Sequence, residues 1–92
     1  MDDETRFIVD PEVLVRTLDG QILLLNRSTL ESFGLDEAAV AIWEAIARGL
    51  TFAEICAQCA ASSGAPLAMV RPDTDAFLGD LLAAGLIRKH IA

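Results

Sequence analysis

The hydrophobic period of this 92-residue chain changes once, at Leu35–Asp36. Before that point apolar residues run in short stretches broken by turn residues, as in strands, and after it they recur at helical spacing. Strands first and helices second define an α+β chain whose two halves must share one hydrophobic layer. A chain this short buries only about two thirds of its extended surface, which allows one core and not two.

Val13-Leu14-Val15-Arg16-Thr17-Leu18 is rich in β-branched and apolar residues and stops at Asp19-Gly20. That pair suits the positive-φ positions of a two-residue hairpin turn. The return strand, Gln21 to Leu25, is apolar on both faces, as expected of a strand with neighbours on both sides. Asn26-Arg27-Ser28-Thr29 supplies the next turn. A third strand follows over Leu30 to Leu35; it is short, carries Gly34 and is the least hydrophobic of the three, which places it at the sheet edge. Residues 1–10 read as a flexible, polar N-terminal tail and 11–92 as the domain, with Leu86-Ile87-Arg88 as a last extended piece.

In the second half, Ala38, Ala39, Ile42, Trp43 and Ile46 form one helical stripe over about residues 37 to 48, with Asp36 as N-cap and Gly49 as terminator. Thr51-Phe52-Ala53-Glu54 is a capping box with Leu50 and Ile55 at staple spacing, so a second helix starts there and runs to Ala60 or Ala61. A third helix is defined from Asp73 to Ala84 and closed by Gly85; Pro72 would cost an interior hydrogen bond, so 67–71 reads as a separate turn. Three antiparallel strands followed by three helices is the expected architecture.

Composition narrows the function classes. Seven basic against fourteen acidic side chains give a formal charge of −7, which repels phosphate backbones and argues against nucleic acid as the main ligand. The acidic start, Met1-Asp2-Asp3-Glu4, is not a secretory signal, and Ile22-Leu23-Leu24-Leu25 is the longest apolar run, so a cytoplasmic, non-membrane protein is expected. Cys56 and Cys59 have Cys-x-x-Cys spacing but lie inside a capped helix without a second ligand pair, and His90 is the single histidine. Core packing for the cysteines and a solvated tail for His90 are the simpler readings. With no Tyr, one His and no Gly-rich phosphate loop, the chain is expected to be no enzyme, and no cofactor and no metal are expected.

In order, these segments resemble the PqqD family, which takes in the recognition elements for ribosomally made, modified peptides (RiPPs). The resemblance rests on Leu23-Leu24-Leu25-Asn26, on Leu35-Asp36-Glu37-Ala38-Ala39-Val40-Ala41-Ile42-Trp43-Glu44, on Thr51-Phe52-Ala53-Glu54-Ile55, and on Asp75-Ala76-Phe77-Leu78-Gly79-Asp80-Leu81-Leu82-Ala83-Ala84-Gly85-Leu86-Ile87. Asp36 stands where the family usually has Asn, and Pro72 falls where it commonly has helix-forming acidic residues. The resemblance implies a winged helix-turn-helix-like fold without catalysis. It also implies an adaptor that binds the leader segment of a precursor peptide by β-strand addition and presents it to a modifying enzyme, in RiPP or PQQ-type biosynthesis. The partners so implied are the precursor leader and an enzyme such as a leader protease, a cyclase or a radical enzyme, in a lasso-peptide or PQQ pathway.

The residues themselves permit this. An edge strand offers unpaired N–H and C=O groups to an extended peptide, which makes Leu30, Glu31, Ser32, Phe33 and Gly34 candidates. On the third helix, Val70, Thr74, Phe77, Leu78, Leu81, Leu82 and Ala84 span an arc of about 160°, wider than the roughly 100° that covers one core. Phe77, Leu81 and Ala84 are assigned to the core and Leu78 and Leu82 to the groove wall, with Arg71 and Asp75 beyond them and Thr74 between; the helix's rotation leaves the reverse open. A winged-helix DNA-binding regulator is the alternative, although Arg71 is the only base between Pro66 and Gly85. Homodimerisation through the same edge strand is a further option.

Overall fold

The computed structural model describes residues 1–90. Its elements are β1 (Arg6–Val9), β2 (Val13–Leu18), β3 (Gln21–Asn26), β4 (Ser32–Leu35), α1 (Glu37–Ala47), α2 (Phe52–Ser63), α3 (Leu67–Ala83) and β5 (Ile87–His90). The expected α+β order is present: an antiparallel sheet β2-β3-β4 followed by three helices.

The first sheet is built as its turn chemistry dictates. Asp19 and Gly20 both take positive φ, 50° and 79°, the paired left-handed residues of a tight hairpin that joins β2 and β3 in the register Leu18↔Gln21. At the second turn, Asn26 accepts from the Ser28 and Thr29 amides through Oδ1 and donates through Nδ2 to the Gly85 carbonyl at 2.6 Å. One buried side chain therefore shapes the turn and ties it to the end of α3. Leu30 is left-handed (φ 64°), so β4 begins at Ser32 and is two residues shorter than the strand expected from Leu30.

Two expectations need correcting. Residues 6–9 are a strand, not part of a flexible tail: β1 pairs antiparallel with β5 through Phe7↔Lys89 and Val9↔Ile87, and Phe7 is buried. His90 accordingly lies in β5, on an exposed position. The N-terminal segment also caps α2, since the Phe52 and Ala53 amides donate to the Thr5 and Asp3 carbonyls. Second, α3 starts at Leu67 and contains Pro72, so 67–71 is not a separate turn. Pro72 removes the bond to the Ala68 carbonyl, but both residues are exposed and water can reach that group.

The helix caps are those the sequence encodes. Asp36 accepts from the Ala39 amide at 2.8 Å, and Thr51 and Glu54 close a reciprocal capping box. Helix α2 runs to Ser63, two or three residues further than expected, because the left-handed Gly64 (φ 72°) terminates it rather than the serines. The core gathers Leu24 and Leu35 from the sheet, Ile42, Trp43 and Ile46 from α1, Phe52 and Ile55 from α2, and Leu78 and Leu81 from α3, with Phe7, Leu86 and Ile87 closing it. Among the described residues, no helix is long and apolar enough to cross a membrane.

Candidate functional site

Strand β4 is an edge of its sheet. Its hydrogen-bonding phase follows from one contact: the Asn26 amide donates to the Glu31 carbonyl at 2.9 Å, one step beyond the Leu25↔Ser32 pair. Antiparallel pairs alternate between bonded and non-bonded. Phe33 and Leu35 therefore spend their backbone groups on β3, whereas Ser32 and Gly34 direct theirs to the open side. Side chains alternate too, so Phe33 and the buried Leu35 point toward the helices and Ser32 points to the opposite face.

Alongside this edge runs a groove. The rings of Phe33 and Phe77 meet edge to face, centroids 6.1 Å apart at 74°, and form its floor at one end. Gly34, Asp36, Ala38, Ala39 and Ile42 complete a space of about 420 Å³. Helix α3 packs on α2 and β5 and makes little contact with α1. The gap so left opens into a second, larger cavity of about 620 Å³ between α1, α2 and α3, and Ala38 and Ile42 line both spaces.

The structure divides the expected site residues. Ser32, Phe33 and Gly34 lie on the edge strand, while Leu30 and Glu31 precede it in the turn, exposed. On α3 the core assignment of Leu81 holds, and Phe77 and Ala84 pack against the core as assigned, but the helix is rotated so that the expected groove wall also turns inward. Leu78 is fully buried with Leu81, and Leu82 packs against the same core, so neither forms a groove wall. Arg71 donates to Asp3 at 2.6 Å with its guanidinium 5.1 Å above the Phe52 ring, and Asp75 accepts from the Met1 ammonium at 3.1 Å. Both belong to the contact with the N-terminal segment. Thr74, buried, reaches the floor of the larger cavity.

The α3 residues lining these spaces form one helical stripe, with Phe77 at the groove beside β4 and Val70 and Asp73 at the larger cavity. Phe77 packs against the core, as assigned, and also meets Phe33 of the edge strand across the groove. Glu37, Ala38 and Ala41 of α1 also line these spaces, a role that helical periodicity does not mark.

Cys56 is buried and Cys59 half-buried, both as free thiols. Burial pushes both thiols up from their ordinary range, against the opposing pull of Arg71 and then the Thr74 hydroxyl on Cys56 and of the Thr74 hydroxyl on Cys59, so neither is an activated thiolate. No group of three or more metal-ligating side chains that could hold an ion occurs among the described residues. The one base of α3 is held by Asp3, so the helix has no cationic face for a DNA groove.

Comparison with known proteins agrees with this fold. Two solved structures superpose on nearly the whole chain. TbiB1 in complex with the TbiA(beta) leader peptide is 25% identical with a TM-score of 0.80, covering 91% of this chain and 98% of that one. A lasso peptide synthetase B1 complexed with the leader peptide shares the fold at 23% identity and a TM-score of 0.78, covering 90% and 98%. No curated protein matches the sequence. Residues 21–87, well over half of the chain, match the family of coenzyme PQQ synthesis protein D, and they include β3, the edge strand β4 and all three helices: the chain belongs to the PqqD family.

Proposed function

We propose that this protein binds the leader segment of a ribosomally made precursor peptide and presents it to a modifying enzyme, taking no catalytic part itself. The observation that carries the reading is the outward pair Ser32 and Gly34 on an edge strand flanked by the Phe33–Phe77 groove. The leader adds to β4 as a fourth strand, its backbone bonds giving affinity with little sequence demand. Its alternate side chains lie over Phe33, Phe77 and Ala39, which set selectivity. That TbiB1, a structural neighbour, is seen in complex with a leader peptide supports the same use of this fold.

Isothermal calorimetry with the synthetic leader of the precursor encoded beside this protein tests the reading. Saturable 1:1 binding is expected, abolished or strongly weakened by Ser32→Pro. Absence of binding by the wild-type protein, or binding indifferent to β4, would end it.

A further inference from the structure

We propose that the cavity between α1, α2 and α3 is a second subsite for the same peptide, taking an aliphatic side chain and an adjacent lysine or arginine of the segment that continues beyond the added strand. The inference rests on the strand-addition reading and extends it from the sheet edge into the helical layer.

Three observations carry it. The first is adjacency: Ala38 and Ile42 line both the groove beside β4 and the larger cavity, so a peptide leaving the strand site past Asp36 reaches the cavity across these two side chains. The second is the lining. Ile42, Ala45 and Ile55 make a buried apolar floor, and the walls are small, with Ala41 on one side and Val70 on the other. At about 620 Å³ the space falls within the roughly 300–1,000 Å³ typical of ligand pockets. Alanines on α1 where larger residues would meet α3 keep it open.

The third is charge. Glu37 and Asp73 stand at the mouth from opposite helices, both exposed, and neither is in an ion pair among the described residues, whereas Asp3, Asp10, Glu12 and Asp75 are. No Lys, Arg or His lines the cavity. A ligand with an apolar group inside and a cation at the rim complements it; an anionic one does not.

The test compares variants against the synthetic leader by calorimetry. Ala41→Phe fills the cavity without touching β4 and is expected to weaken binding at least tenfold. Glu37→Gln/Asp73→Asn is expected to weaken it about fivefold and to flatten its salt dependence. Replacing the leader's lysines and arginines by glutamine should cost wild type the same factor and the double variant almost nothing. In unaltered protein the leader should slow alkylation of Cys59 by iodoacetamide, because that thiol lines the cavity while Cys56 is buried. This readout holds even if Ala41→Phe fails to fold.

The proposal is overturned, with strand addition left standing, if Ser32→Pro weakens binding while the carboxylate variant leaves affinity and salt dependence unchanged. It is likewise overturned if the leader gives Cys59 no protection. If wild type binds no leader, both readings fall together.

Discussion

Proline at position 32 separates backbone recognition from every other way this surface could bind. The Ser32 amide points away from β3, so its loss breaks no hydrogen bond of the fold, and an extended backbone accommodates proline at an edge. In the complex the same change removes one donor and leaves a ligand carbonyl facing a pyrrolidine ring. A net backbone hydrogen bond is worth about 1 kcal/mol, and a desolvated carbonyl left without a partner costs about 1–3 kcal/mol. A loss near 2 kcal/mol corresponds to roughly thirtyfold in Kd. Ser32→Ala, which keeps the amide, should bind as wild type does. Thr17→Pro supplies the matched control on the far edge. The Arg27 amide donates to the Glu12 carbonyl, so the phase along β2 turns the Thr17 amide outward as well, away from the proposed ligand. Calorimetry with circular dichroism on the same samples decides it. Unchanged affinity in Ser32→Pro, or equal losses in Ser32→Pro and Thr17→Pro, would refute strand addition at β4.

Other perturbations test the parts that position this edge. Phe77→Ala removes the partner of Phe33 and should weaken leader binding about tenfold while costing about 2 kcal/mol of stability, less than for a fully buried ring because Phe77 is half-buried; calorimetry and urea melts measure the two. Asn26→Ala severs three hydrogen bonds at once and should cost about 2–4 kcal/mol in urea denaturation, with β4 loosening first in amide exchange. Thr51→Ala should cost about 1 kcal/mol through the α2 cap. Its partner Glu54 adds a pH signature. The Thr51 amide, then the Thr51 hydroxyl, hold the Glu54 carboxyl below its ordinary range, so its contribution is complete above that range and fades as pH falls through the lowered value. The stability gap between wild type and Glu54→Gln should therefore be flat near neutrality and close on acidification; a gap that widened in acid would contradict the cap.

What the sequence made legible is local. Asp19-Gly20, the Asp36 cap and the Thr51/Glu54 box each specify a boundary through chemistry within four residues, and each element begins or ends where that chemistry puts it. The edge character of β4 was equally readable, because a short strand with Gly34 and no strong hydrophobic run cannot sit between two neighbours. Strand β1 was not. Arg6-Phe7-Ile8-Val9 is four residues long and becomes a strand only by pairing with Ile87–His90, some eighty positions away, a partner no local pattern announces.

The rotation of α3 is not encoded locally, and the cause is physical. An apolar arc wide enough to serve a core and a ligand has no preferred inward side, so Leu78 and Phe77 were equally good core candidates. The N-terminal segment breaks the tie. Once Asp3 takes Arg71, and the Thr5 and Asp3 carbonyls cap α2, the side of α3 carrying Arg71 and Asp75 is covered and Leu78 turns inward. Phe77 is then left facing β4, and Asp73 and Val70 face the cavity beside α1. The acidic start that composition alone reads as a solvated tail is thus what selects the surface offered to the ligand. Replacing Asp3 by Ala should be felt at the groove: α3 would lose its anchor at Arg71, and leader affinity should fall although no residue of the groove has changed.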